Sequence, residues 1–134
     1  MTEAGTEVSP GSAAPHVVVI DDYEAHLDVL VTILRRAGFK ATGFTQPRTA
    51  LYHLIDNPPS LVVINLYMPD MDGIEISRRL QASLPDLPLI GITGGRDPRS
   101  DVYLKLLREF GAKVCLRKPI DSVTFVNAVR SALA

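Results

Sequence analysis

Five polar side chains follow short apolar runs of the sequence and are spread over about a hundred positions. Asp21 and Asp22 follow the run HVVVI, Asn65 follows LVVI, Thr93 follows LPLIGI, and Lys118 lies just after KVCL. Carboxylate, amide, hydroxyl and ammonium groups hold ions and polar ligands in proteins. One of the five is unexpected, because Asn65 is a neutral amide at a position that otherwise looks built for ionic chemistry.

The apolar runs that precede these residues are predicted to be buried β-strands. They are short and rich in β-branched residues, and each ends at polar or turn residues. The segments between them have the spacing of amphipathic helices, for example Leu27, Leu30, Val31 and Leu34 at i, i+3, i+4 and i+7. The same reasoning predicts further inward-facing helical residues, which are Ala50, Leu51, Leu54, Ile55, Ile76, Leu80, Leu84, Tyr103, Leu107, Phe110, Val126, Val129 and Leu133.

Five strands that alternate with five helices indicate an α/β protein with a parallel sheet and helices on both faces. The weakest strand, FKATGF, contains Gly43 and suits an edge of the sheet. In open parallel sheets, ligands bind outside the carboxyl ends of the strands. The five polar residues are therefore predicted to converge at one edge of the sheet, with Asp72 capping the helix after the third strand.

Composition places the chain among ordinary globular domains. Its 134 residues are 46% hydrophobic and 22% charged, which suits one domain with a proper core. A net charge of −1 gives no general attraction to nucleic acid or to an anionic membrane. No stretch reaches the roughly 20 apolar residues of a membrane helix. We expect residues 1–15 to be a disordered lead-in and residues 16–134 to form the domain.

The single cysteine indicates the compartment. Cys115 lies in an apolar run and has no second cysteine to pair with, which predicts a buried, reduced thiol and a cytoplasmic protein. His16, His26 and His53 lack the spacing of metal ligands, so all three are interpreted as surface or packing residues.

Four sequence features, taken in order, resemble the receiver domain of bacterial response regulators in two-component signalling. They are "DD" at 21–22, "LYMPDMDG" at 66–73, Thr93, and "KP" at 118–119, and the resemblance runs from His16 to Ala134. It implies a flavodoxin-like (βα)5 fold, a doubly wound parallel sheet with strand order 2-1-3-4-5. It also implies that an aspartate at the tip of the third strand accepts a phosphoryl group from a phosphohistidine, with the help of Mg²⁺.

The resemblance assigns a role to each site residue. Asp21, Asp22, the side chain at position 65 and the backbone carbonyl of Tyr67 would bind Mg²⁺, which prefers hard oxygen ligands. Thr93 and Lys118 would contact the phosphoryl oxygens, and Thr93 with position 115 would form the switch. In this family the bond between Lys118 and Pro119 is usually cis.

Two residues depart from the family. Asn65 stands at the phosphoacceptor position, and an amide offers no route to an acyl phosphate, so we expect no phosphorylation there and weak or absent Mg²⁺ binding. Cys115 stands where the family usually has Tyr or Phe. Asn65 is either an introduced Asp-to-Asn replacement or a native feature of a pseudo-receiver, and the sequence leaves both open.

The expected function is signal transduction in a phosphorelay through protein contacts, without enzymatic activity. The partners would be a histidine kinase or phosphotransfer protein, a downstream target, or a second copy bound through helix 4, strand 5 and helix 5, with neither nucleic acid nor membrane involved. An alternative is a Mg²⁺-dependent phosphatase of the haloacid-dehalogenase type. That enzyme needs a second aspartate two positions after its nucleophile, where this chain has Tyr23 and Glu24. A flavodoxin-like carrier is disfavoured because DDYEAH would repel a phosphate.

Overall fold

The computed structural model describes residues 14–94 and 100–134, except for the side chains of Ser100, Tyr103 and Leu104. Strands and helices alternate strictly along the chain. In order, they are β1 His16–Ile20, α1 Glu24–Arg36, β2 Lys40–Phe44, α2 Pro47–Asp56, β3 Leu61–Asn65, α3 Gly73–Ser83, β4 Leu89–Thr93, α4 Ser100–Glu109, β5 Ala112–Arg117 and α5 Ser122–Leu133.

The five strands form one parallel sheet in the order β2-β1-β3-β4-β5, which confirms the predicted topology. The inner strands β3 and β4 are buried along their whole length, as parallel strands covered on both faces must be. By contrast, β2 lies at one edge and is partly exposed, as Gly43 suggested.

Two hydrophobic clusters lie on opposite faces of the sheet. Helices α1 and α5 pack on one face, where Leu34 and Phe125 are fully buried. Helices α2, α3 and α4 pack on the other face, where Leu54, Leu80 and Leu107 are fully buried. Burial of these large apolar side chains is the main stabilising contribution, at roughly 1.5–3 kcal/mol each.

Most of the predicted inward positions are buried, but Ile55, Leu84, Phe110, Val126 and Leu133 are not, and the side chain of Tyr103 lies outside the described residues. Ile55 is 37% exposed, because it lies at the rim of the apolar stripe on α2. On α5 the buried residues are Phe125, Val129 and Ala132, whereas Val126 and Leu133 are half-buried. For α5 the prediction was therefore wrong at two residues, because Phe125 is buried instead of Val126 and Ala132 instead of Leu133. It thus missed Phe125, the largest side chain of that helix.

The helix ends follow from local chemistry. Asp72 caps α3 by accepting a hydrogen bond from the backbone N–H of Glu75 at 3.0 Å, as predicted. Gly38 and Gly111, just after α1 and α4, adopt positive φ angles of 96° and 100°, which glycine tolerates best. In the part of the chain that the structure describes, no helix is both long and apolar enough to cross a membrane.

Candidate functional site

The polar residues predicted to converge do lie at the carboxyl ends of the strands. Asp21 directly follows β1, Asn65 and Thr93 are the last residues of β3 and β4, and Lys118 directly follows β5. Backbone hydrogen bonds hold these ends together, since Lys118 N donates to the carbonyl of Thr93 at 2.8 Å and Leu66 N donates to that of Ile92 at 2.7 Å. The sheet therefore fixes the positions of the site residues.

Asp21 is the most buried acid of the site, with only 1% of its surface exposed. The backbone N–H of Tyr23 donates to its Oδ1 at 3.0 Å. On the other oxygen, Oδ2, Nδ1 of His26 makes a short contact and Nζ of Lys118 lies 3.9 Å away. Burying a carboxylate is costly unless it is paired and hydrogen-bonded. Here three nitrogen donors surround Asp21.

Asn65 is 92% buried and points its amide nitrogen at two oxygens. Nδ2 donates to the backbone carbonyl of Tyr67 at 2.9 Å and lies 3.5 Å from Oδ1 of Asp22. Asp22 itself is exposed. An amide group therefore stands between the two oxygens that the family resemblance assigns to a cation.

The turn after β3 presses tightly against the tip of that strand. Gly73 opens α3, and its N–H donates to the carbonyl of Leu66 at 2.8 Å. A Cβ at position 73 would lie 2.8 Å from the backbone oxygen of Asn65 and 3.0 Å from Cα of Leu66. Only glycine allows this approach without a backbone shift. Gly73 therefore helps to set the position of Asn65.

Thr93 and Lys118 occupy the other side of the site. Thr93 is fully buried, and Lys118 is partly buried with 29% of its side chain exposed. The peptide bond between Lys118 and Pro119 is cis, in agreement with the family resemblance. The neighbouring loop residues Arg96, Asp97, Pro98 and Arg99 lie outside the described residues.

Cys115 lies opposite Gly91 in the pairing of β4 with β5, on the face that α4 covers. Its side chain is half-buried, so the prediction of a buried thiol was only partly right. Burial raises the pKa of the thiol, although nearby Arg108 lowers that pKa and so opposes the effect. A Cβ at Gly91 would lie 2.7 Å from Cδ1 of Leu107 and 3.6 Å from Sγ of Cys115. Leu107 therefore packs down onto a sheet surface made of small residues.

The oxygens that the family resemblance assigns to a magnesium ion face N–H groups of the protein. Mg²⁺ needs oxygen ligands in a nearly octahedral arrangement. In this pocket N–H groups of Asn65, His26 and Tyr23 already face the oxygens of Tyr67, Asp22 and Asp21. Among residues 14–94 and 100–134, no three His, Cys, Asp or Glu side chains are grouped so that they would hold a metal ion.

His26 is the site residue that the sequence analysis missed. It is the third residue of α1, and its ring contacts Asp21 at the end of the preceding strand, a contact that the interpretation as a surface or packing residue did not predict. A signal was present, because a side chain in the first turn of a helix lies close to the strand end that leads into it. The ring of His16, by contrast, contacts Thr42 on β2, with 2.8 Å between Nε2 and Oγ1, at the opposite end of the sheet from the strand tips.

A model of the response regulator receiver domain matches residues 17–130. The chain belongs to the response regulator receiver family. The receiver protein CpdR of Brucella abortus is 36% identical over 108 residues, which cover 78% of this chain and 84% of CpdR. The receiver domain of a histidine kinase from Syntrophus aciditrophicus superimposes with a TM-score of 0.80 at 28% identity and covers 90% of each chain.

Some relatives are much longer than this receiver domain. The C4-dicarboxylate transport transcriptional regulatory protein DctD of Rhizobium meliloti is 32% identical over 121 residues, which cover 90% of this chain and 26% of DctD. This chain thus spans about a quarter of that relative and 47% of the Agrobacterium fabrum regulatory protein VirG. The similarity to both proteins concerns the receiver part alone.

Proposed function

We propose that this receiver domain signals through protein–protein contacts and does not accept a phosphoryl group at the tip of β3. Asn65 at that tip supports the proposal. An amide oxygen is neutral and a weak nucleophile, and it cannot form the acyl phosphate that a carboxylate forms. This chemistry is the same whether Asn65 is native or replaces an original aspartate.

The surroundings of Asn65 support the same conclusion. Its amide nitrogen donates to the carbonyl of Tyr67 and faces Asp22, so the side chain is held by its neighbours inside a buried pocket. The haloacid-dehalogenase alternative gains no support. Tyr23 stands two positions after Asp21 and offers only its backbone N–H to the site, and Glu24 stands two positions after Asp22. We therefore assign the domain no enzymatic activity.

The partner in this proposal is a histidine kinase, a phosphotransfer protein or a downstream target. The surface formed by α4, β5 and α5 suits such a partner, because Lys105 and Arg108 are exposed on α4. Arg117 on β5 is ion-paired with Asp101 on α4. A basic surface of this kind favours a partner with acidic groups, and it also steers the first encounter. Binding of a second copy through the same surface is the competing arrangement.

The test is phosphoryl labelling of three proteins side by side, with acetyl phosphate at saturating Mg²⁺. The proteins are the chain with Asn65, the variant Asn65→Asp and the matched control Asn65→Ala, and intact-protein mass spectrometry detects the adduct. We expect the Asn65 and Ala proteins to stay unlabelled. If Asn65→Asp is labelled, an otherwise competent receiver was blocked at one atom; if it is not, the pocket is that of a pseudo-receiver.

One result would contradict the proposal. A phosphoryl adduct on the chain with Asn65 that peptide mapping places at the tip of β3 would show that the amide is no block. An identical degree of labelling for all three proteins would show that the adduct lies elsewhere. In that case the labelled residue, identified by mapping, would replace the tip of β3 as the phosphorylation site.

A further inference from the structure

Four oxygens of the acidic pocket face protein N–H groups, namely both carboxylate oxygens of Asp21, Oδ1 of Asp22 and the carbonyl of Tyr67. Asp21 is contacted by His26 and approached by Lys118 on the same oxygen, Oδ2. Asn65 donates to the carbonyl of Tyr67 and lies within 3.5 Å of Asp22. The family resemblance assigns Asp21, Asp22 and the carbonyl of Tyr67 to a cation, so at least one oxygen of each already has a partner from the protein.

We propose that the N–H groups of His26 and Asn65 together take the place of the divalent cation in this pocket. We also propose that the His26 ring by itself hinders a cation from binding Asp21. Restoring an aspartate at position 65 therefore restores only part of the metal affinity, because the ring of His26 still occupies Asp21. The inference rests on the proposed function, since it explains how the pocket stays complete without phosphorylation. It concerns metal binding, however, and is tested separately.

The geometry explains why the histidine matters. His26 exposes 21% of its side chain and Asp21 only 1%, so the contact between them is shielded from most competing water. A ring nitrogen that faces a carboxylate carries a proton and donates it in a hydrogen bond. A cation that takes Oδ2 as a ligand must displace this ring, and the lost hydrogen bond to a charged group lowers the affinity by roughly ten- to a hundredfold.

Lys118 does not take the same role. Its Nζ lies 3.9 Å from Oδ2 of Asp21, beyond the distance of a normal hydrogen bond. Its long side chain is also free to turn toward a different oxygen without leaving the pocket. The ring of His26 sits on the first turn of α1 and has few rotamers with which to move aside. Removing His26 should therefore change metal binding more than changing Lys118.

The experiment compares the affinity for Mg²⁺ of Asn65→Asp alone and combined with His26→Ala, at one fixed pH. The control double variant combines Asn65→Asp with His53→Ala, because His53 is an exposed histidine on α2. Calorimetric titration gives the dissociation constant, and the shift of the melting temperature with Mg²⁺ gives an independent value. We expect the His26 double variant to bind Mg²⁺ about tenfold more tightly than Asn65→Asp, and the His53 double variant to match Asn65→Asp.

Equal or weaker binding by the His26 double variant would overturn the inference, because His26 would then be a bystander or itself a metal ligand. If the alanine variant fails to fold, His26→Leu in the same background decides, since leucine keeps the volume and removes the donor. Failure of this inference differs from failure of the proposed function. The inference fails if removing His26 gives no gain in Mg²⁺ affinity, whereas the proposed function fails if a phosphoryl adduct forms at the tip of β3 on the chain with Asn65.

Discussion

Replacing Gly73 by alanine should destabilise the domain and disturb the tip of β3. The new Cβ would lie 2.8 Å from the backbone oxygen of Asn65, which is 0.6 Å closer than the 3.4 Å at which ordinary contacts begin. The two other close atoms, Cγ2 of Ile64 and Cα of Leu66, are at 3.0 Å, so no single flexible side chain can give way. Overpacking of this kind costs about 1–3 kcal/mol. The reduced entropy of the unfolded chain returns about 0.4–1 kcal/mol.

The expected net loss is therefore about 1–2 kcal/mol, which moves the urea midpoint down by roughly 1 M. Gly94→Ala is the matched control, because nothing lies within 4 Å of a Cβ at that position and its φ lies outside the left-handed region that favours glycine. Urea unfolding followed by circular dichroism measures both variants. If Gly73→Ala proves as stable as Gly94→Ala, the close approach does not constrain the turn, and the argument that Gly73 positions Asn65 fails.

Two further predictions follow from the shifted pKa values. Burial raises the pKa of Cys115, so iodoacetamide should modify it slowly in the folded protein and quickly in urea. Because the folded state holds the thiol proton more tightly, the free energy of unfolding should also decrease as the pH rises above roughly 8.5. That decrease should be absent in Cys115→Ala. Hydrogen bonds from Arg78 and then Arg79 lower the pKa of Glu75 to about 2. The stabilisation from Glu75 should therefore be complete above a pH of roughly 4.5 and vanish as the pH falls through 2. Urea midpoints of the unmodified chain and of Glu75→Gln, measured across that range, test this. A difference between the two midpoints that stays the same at low pH would contradict the role of the ion pairs.

The sequence predicted the fold well because its signals were local and agreed with one another. Short apolar runs and the weaker run FKATGF predicted all five strands, and the helical spacing of Leu27, Leu30, Val31 and Leu34 matched the buried face of α1. The error on α5 has a physical cause. Val126 and Val129 fit a helical stripe, but the angular position of that stripe is set by packing on the sheet, which brings Phe125 inward.

The sequence predicted which strand ends form the candidate site, but it did not predict the contacts between the side chains there. Parallel topology alone brings Asp21, Asn65 and Thr93 to one edge, because the carboxyl ends of all the strands meet there. The contact between His26 and Asp21 depends on the rotamer of a side chain and on where α1 begins, and neither is encoded in a spacing rule. The direction of the amide of Asn65 is likewise decided by the carbonyl of Tyr67, which only the folded turn provides.

Where α4 packs on β4 and β5, the side chains at positions 91, 107 and 115 compete for the same space. Leu107 is fully buried against Gly91 and lies beside Cys115, and a single added carbon at position 91 would already meet it at 2.7 Å. An aromatic ring at position 115 that turned inward would need space that Leu107 now fills. Among relatives that carry such a ring, residue 107 should therefore be smaller, or the ring should point outward. The sizes of these side chains are thus expected to vary together, so that the sum of their volumes stays nearly constant while each one changes.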